Sequence, residues 1–257
     1  MTYCVGLRLR DGLVMLADTR TNAGVDYVST FGKMHLFGKS GERLICVLTA
    51  GNLAISQSVI NLLDEGMVNE ETGEVATLHE APSMFEAARL VGRAVRQVYK
   101  VDGAALKAQD IRFDVSLLVG GQIAGRTVRL FNVYAAGNFI EATEDTPFLQ
   151  IGEHKYGKPI LDRVATYDID LYDAVRLSLI SMDSTIRSNL TVGPPVDLLV
   201  YRRDALTVET KLRIDEDDPY FQMIRSQWSQ SLRDAYLALA EPPWSKRNGE
   251  AKASRAV

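Results

Sequence analysis

Thr2 combines, in one residue, the two groups that amide cleavage needs. Its side chain carries a secondary hydroxyl, and loss of Met1 would free its α-amine. That loss is expected, because the residue after Met1 is small, and no signal peptide or pro-segment is expected ahead of it. An α-amine titrates at about 8, so part of it is an unprotonated base near neutrality. A threonine beside its own terminal amine is one of the recognised ways to activate a hydroxyl nucleophile. The hydroxyl would attack a carbonyl, and the amine, directly or through a water, would take and return the proton.

Three more residues are of types this chemistry uses. Lys33, if close, disfavours a second positive charge on the amine, lowers its pKa and stabilises negative charge developing on the hydroxyl oxygen. Asp18 would pair with Lys33 and fix its position. Gly51 can offer an unobstructed backbone N–H to an oxyanion. Each also has a plain structural alternative: a turn-starting Asp, a solvated loop lysine, a glycine at the start of a helix.

The elements that must position these residues follow from hydrophobic period. Residues 3–10 read as a strand, Asp11-Gly12 as a hairpin turn, and 13–17 as a buried strand ending at Asp18. Residues 19–30 read as a loop with a short extended piece at 25–28. Lys33 precedes a short strand at 34–37. After a turn at 39–42, Arg43 to Thr49 forms an apolar strand that ends at Ala50-Gly51-Asn52. The period then becomes helical over 53–65 and 83–100, with a polar connection at 66–79. Strands are expected at 113–119 and 127–135 around a glycine-rich turn at 120–126, then at 138–142 and 147–151. Helices at 156–165 and 170–188 follow, then strands at 196–201 and 206–214, and a last helix over 218–240. From Glu241 the composition is that of a disordered tail. The expectation is one domain over 2–240 and a tail over 241–257. Blocks of hairpin-linked strands separated by helix pairs predict an α+β protein, a four-layer α-β-β-α sandwich of two antiparallel sheets.

Composition narrows the function. The 257 residues carry a formal net charge of −4, with no long basic run in the folded part, which disfavours nucleic acid as a partner. Apolar runs are strand-sized, far short of the roughly 20 residues a membrane span needs. Cys4 and Cys46 form neither a disulfide framework nor a zinc site; they read as reduced core thiols of a cytoplasmic protein. His35, His79 and His154 are scattered, which argues against a metal centre, and no cofactor is implied.

The opening Thr-x-x-Val-Gly, the positions of Asp18 and Lys33, and Ala50-Gly51 closing an apolar strand before a helix resemble a proteasome-type β-subunit of the N-terminal-nucleophile hydrolase superfamily. The later glycine-rich hairpin, Ile-Gly turn, helix and Val-Asp-Leu-Leu-Val-Tyr strand fall in the family order, so the resemblance covers about 2–214. The openings Met-Thr-Tyr-Cys-Val-Gly-Leu, Asp-Thr-Arg-Thr-Asn-Ala-Gly-Val-Asp and Lys33-Met34-His35 are most similar to the bacterial branch called Anbu, whose members lack a pro-peptide. The resemblance implies that Thr2 is nucleophile and base, Asp18 the orienting carboxylate, Lys33 the charged partner and Gly51 the oxyanion donor. It implies a peptide or small-amide substrate and self-association into a ring or open ring.

The chain departs from the family where β-subunits place a serine and an aspartate in support of the terminal amine. Gly152-Glu153-His154 stands in place of a Gly-Ser-Gly turn, and Arg187-Ser188-Asn189 follows the long helix. Ser188, Asn189 and Asp183 are the alternatives for that support. The departure predicts slow turnover of long unfolded proteins and better activity on short peptides or small activated amides. Two further readings stand beside a threonine peptidase: a small-molecule amidase with the same nucleophile, and a non-enzymatic assembly with a vestigial site.

Overall fold

The structure is a computed structural model that describes residues 1–23, 27–68, 73 and 75–244. The first strand, β1 (Tyr3–Leu9), hairpins into β2 (Gly12–Asp18) with Cys4 opposite Ala17. These two lie inside a five-stranded antiparallel sheet of order β12-β1-β2-β13-β14, where β12 is Phe148–Gly152, β13 is Val196–Arg202 and β14 is Thr210–Ile214. A second five-stranded antiparallel sheet has the order β11-β10-β9-β6-β5. Its strands are β5 (Met34–Lys39), β6 (Arg43–Gly51), β9 (Val115–Ile123), β10 (Arg129–Val133) and β11 (Phe139–Glu141).

Alternation decides which face each side chain serves. Tyr3, Val5, Leu7 and Leu9 of β1 pack with helices α3 (Lys158–Val164), α4 (Leu171–Ser188) and α5 (Pro219–Ala238). Cys4 turns the other way, into a core shared by both sheets with Leu13, Met15, Cys46, Leu48, Leu118 and Leu130. The outer face of the second sheet, through Ile45, Val47, Leu117 and Phe131, packs on α1 (Leu53–Glu65) and α2 (Met84–Ala108). Each large apolar side chain buried in these cores is worth about 1.5–3 kcal/mol. Cys4 and Cys46 are free and buried, and burial raises both thiols, so neither is a ready nucleophile.

Capping residues set the helix starts. Asn52 accepts from the amides of Ala54 and Ile55 at 3.0 and 3.4 Å, and Ser83 from Glu86 at 3.1 Å. Asp170 accepts from Tyr172 at 2.8 Å and Asp218 from Phe221 at 2.8 Å, with Pro219 in the first turn.

Several expected boundaries move. The segment read as a loop over 19–30 holds a hairpin, β3 (Arg20–Ala23) with β4 (Tyr27–Thr30). The connection at 66–79 contains β7 (Met67–Val68), β8 (Val75–Ala76) and a single 3-10 turn at Leu78–Glu80. Helix α2 runs past the expected end at 100, because Ala104, Ala105, Leu106 and Lys107 keep helical propensity after the apolar stripe fades. Strand β9 continues through Gly120-Gly121 and turns only at 124–126; a side chain at Gly120 would meet Leu13 at 2.9 Å, so the glycine admits the facing sheet rather than making a turn. Most of the expected tail, 245–257, lies outside the described residues. Among the described residues no helix is long and apolar enough to cross a membrane.

Candidate active site

Thr2 stands at the entry to β1 with 7% of its surface exposed. The backbone around it is fixed from two sides. Tyr3 pairs in register with Gly152 of β12, and the Glu153 amide donates to the Thr2 carbonyl at 2.7 Å. Gly152 has φ +80, and a Cβ there would lie 2.0 Å from the Thr2 carbonyl oxygen. Only glycine permits that approach.

Asp18 closes β2 beside Thr2 and is fully buried. Its Oδ1 accepts the Tyr3 amide at 3.1 Å and the Lys33 ammonium at 2.9 Å, and its Oδ2 accepts the Gly193 amide at 3.4 Å. Lys33, 4% exposed, also donates to the carbonyls of Asp18 at 3.2 Å and Arg20 at 2.7 Å. All three donor positions of the ammonium are occupied, which sets its direction. The Lys33 carbonyl in turn accepts the Thr49 amide at 3.0 Å, tying the lysine to β6. Burial pushes the Asp18 carboxyl above the usual carboxylate range, and the Lys33 ammonium with the Tyr3 and Gly193 amides acts against that push. The pair is thus a buried ion pair placed by backbone on every side.

A cleft of about 580 Å³ opens over these residues. Its walls include Thr2, Lys33, Thr49, Gly51, Asn52, Arg112, Asp114 and Ser116. Met1 sits at its mouth, 66% exposed. Burial pulls the Met1 amine below its ordinary value; Lys33 adds to the effect, while Asp18 and Glu153 oppose it. The groups that bear on the chain's terminal amine are therefore the ones the sequence singled out, with Glu153 added.

Gly51 lines the same cleft at φ +105, and a Cβ there would lie 2.4 Å from the Asp114 carbonyl oxygen. Close packing against β9 is reason enough for a glycine at this point. The remaining candidates divide. Ser188 ends α4 with its side chain exposed and does not line the cleft. Asp183 is buried one turn earlier but faces α5, pairing with Arg187 at 3.0 Å and Arg225 at 2.8 Å. Asn189 is the one that turns inward: it is buried and donates to the Glu153 carboxylate at 3.1 Å.

Glu153, Thr49 and the polar wall of Arg112, Asp114 and Ser116 were not found from sequence. A glutamate inside a short turn carries no periodic signal, and the wall residues lead into β9, a strand far along the chain from Thr2. The hydroxyl of Thr21 also borders the cleft, with its oxygen buried and no hydrogen-bond partner among the described residues.

Neither a family model nor a curated protein sequence matches the chain. Solved structures do. A Gly-1 mutant of Anbu from Hyphomicrobium sp. strain MC1 is 50% identical with a TM-score of 0.87, over 94% of this chain and 99% of that one. Anbu, the ancestral beta-subunit, from Yersinia bercovieri is 48% identical with a TM-score of 0.86, over 95% of this chain and 100% of its own. Anbu from Pseudomonas aeruginosa, solved as a helical assembly, is 52% identical with a TM-score of 0.87, over 94% and 98%. With half the residues identical along nearly the whole length of each, the chain belongs to the Anbu family of proteasome-like ancestral β-subunits.

Proposed function

We propose that the protein is an N-terminal threonine hydrolase of amide bonds, with Thr2 as nucleophile after removal of Met1, working in a homo-oligomeric assembly. The observation that carries this reading is the buried Asp18–Lys33 pair, 2.9 Å apart, beside Thr2 under a cleft of about 580 Å³. An ion pair at this depth is a poor device for stability, since desolvation offsets its Coulomb gain. A buried carboxyl that burial raises and a specific cation holds, next to a cleft, favours a catalytic role.

In this reading the Thr2 hydroxyl oxygen attacks the amide carbon, and the Thr2 amine takes the hydroxyl proton. Lys33 holds the amine's basicity low and faces the developing negative charge. The Gly51 amide receives the oxyanion, whose stabilisation by one donor is worth about 2.7–4 kcal/mol. The proton passes to the leaving amine, leaving an ester on Thr2 that water then hydrolyses. Asp18 fixes Lys33. The substrate class is short peptides or small amides. The three apolar cores, one under each helix group and one shared by the sheets, support the four-layer α-β-β-α arrangement in one domain over 2–240. Self-association is supported by the relative from Pseudomonas aeruginosa, which forms a helical assembly.

The test compares short fluorogenic peptides, small activated amides and an unfolded protein substrate, each run with wild type and Thr2→Ala. Turnover of a short substrate that disappears in Thr2→Ala is the expected result. Equal rates in both proteins on every substrate would favour an assembly with a vestigial site.

A further inference from the structure

Glu153 is a buried carboxylate held by amide donors. It is 5% exposed, and among the described residues it forms no ion pair. Carboxylates are seldom buried so far without a charge partner. Its two oxygens are held apart by different donors: Oε1 accepts the Lys155 amide at 3.0 Å and Oε2 accepts Asn189 Nδ2 at 3.1 Å. The orientation of Asn189 is fixed by its other end, because its Oδ1 accepts both the amide and the hydroxyl of Thr191, at 3.0 and 2.6 Å. An acceptor so engaged leaves only the NH2 to face Glu153. The backbone of Glu153 is itself bonded to Thr2 at 2.7 Å, next to Gly152, whose α-carbon lies against the Thr2 carbonyl.

We propose that Glu153, oriented by Asn189, is the positioning residue for the Thr2 α-amine. This rests on the reading of Thr2 as the reacting residue and deepens it: the turn and the helix end that depart from the β-subunit pattern together supply one anchored anion. Thr2 and Lys33 share their cleft with Arg112 and Asp114. With Met1 in place the terminal amine is that of Met1, one residue before Thr2; Asp18 and Glu153 favour its charged form and Lys33 opposes it. Glu153 is ionised there: burial raises its carboxyl, but the Lys155 and His154 amides, Asn189 and the Lys155 charge outweigh burial and hold it below the usual range. An anion beside the amine favours the ammonium form and opposes Lys33, so the two set the pH at which the base becomes available.

The test reads the amine directly. Protein shown by intact mass to begin at Thr2 is acylated with a small amine-directed reagent across pH, and modification of the Thr2 peptide is quantified. In Glu153→Gln, which keeps size and an acceptor, the midpoint should fall by roughly one pH unit. Glu153→Asp should restore most of it, and Asn189→Ala should give a smaller fall, since the carboxylate remains but is less well aimed. A Glu153→Gln midpoint equal to wild type, even with lowered thermal stability, would make Glu153 an anchor for its own turn and overturn the proposal. Hydroxyl labelling of the same proteins by a threonine-directed electrophile, with Thr2→Ala as control, separates the two claims. An amine shift without hydroxyl labelling would sink the nucleophile and keep Glu153's placement; labelling without a shift would do the reverse.

Discussion

Asp18 and Lys33 make a contact that folding alone would not select. Two charges lie almost without solvent exposure, and removing either strands the other. Breaking a buried pair costs about 3–5 kcal/mol, whereas neutralising both partners costs far less. Asp18→Asn and Lys33→Met should therefore each lower stability markedly, and the double variant should recover part of the loss, as read by urea unfolding. All three should lose hydroxyl labelling at Thr2. Additive losses in the double variant would deny the coupling. Gly152→Ala should be equally silent at Thr2 and less stable, since φ +80 costs a residue with a Cβ about 1–2 kcal/mol before any clash with the Thr2 carbonyl. Labelling at the wild-type rate in a folded Gly152→Ala would show that the approach is not needed. His35 gives the molecule a pH dependence of its own. Burial lowers its pKa, with Asp197 opposing, so native His35 resists the proton that the unfolded chain accepts below about 6.5. Stability should fall as pH drops through that window, and His35→Gln should flatten the fall. What sequence made legible at this scale was Thr2, Asp18, Lys33 and Gly51, because each lies at or next to the end of a strongly patterned strand. Glu153 was not legible, since nothing in a five-residue turn predicts burial. Ser188 and Asn189 could have been told apart by helix phase: Asn189 is four residues from buried Thr185, and Ser188 is one step off that face.

Among the elements, α5 is attached by few contacts of high consequence. Only Phe221 and Ile224 of it are buried, and Arg225 reaches Asp183 of α4 at 2.8 Å. Removing a buried acceptor from such a network costs about 1–3 kcal/mol. Asp183→Ala should lower the unfolding midpoint and expose α5 to proteolysis, while leaving Thr2 labelling unchanged. A loss of labelling instead would place Asp183 in support of the amine. The succession of strands and helix pairs along the chain and the span of α5 followed from hydrophobic period. The β3–β4 hairpin did not, because its polar sequence lacks the alternation that marks a half-buried strand. The end of α2 and the passage of β9 through Gly120-Gly121 depend on helix propensity and on the facing sheet, neither of which a local apolar pattern contains.

At the scale of the whole molecule, 22 large apolar side chains are exposed among the described residues, including Leu232, Tyr236, Leu237 and Trp244 towards the carboxy-terminal end, which fits a chain that associates with copies of itself. Light scattering in dilute buffer should give a mass many times 28.4 kDa; a clean monomer at micromolar concentration would contradict the assembly and favour a small-molecule amidase. Assembly, however, would serve a catalytic or a vestigial site alike. The central claim is that Thr2 itself reacts. Intact mass and peptide mapping of the wild-type protein after treatment with a threonine-directed electrophile, beside Thr2→Ala, tests it most directly. The expected result is a chain that begins at Thr2, one adduct located on the Thr2 peptide, and none in Thr2→Ala. A folded chain that keeps Met1, or one that begins at Thr2 and takes no adduct there, would contradict it.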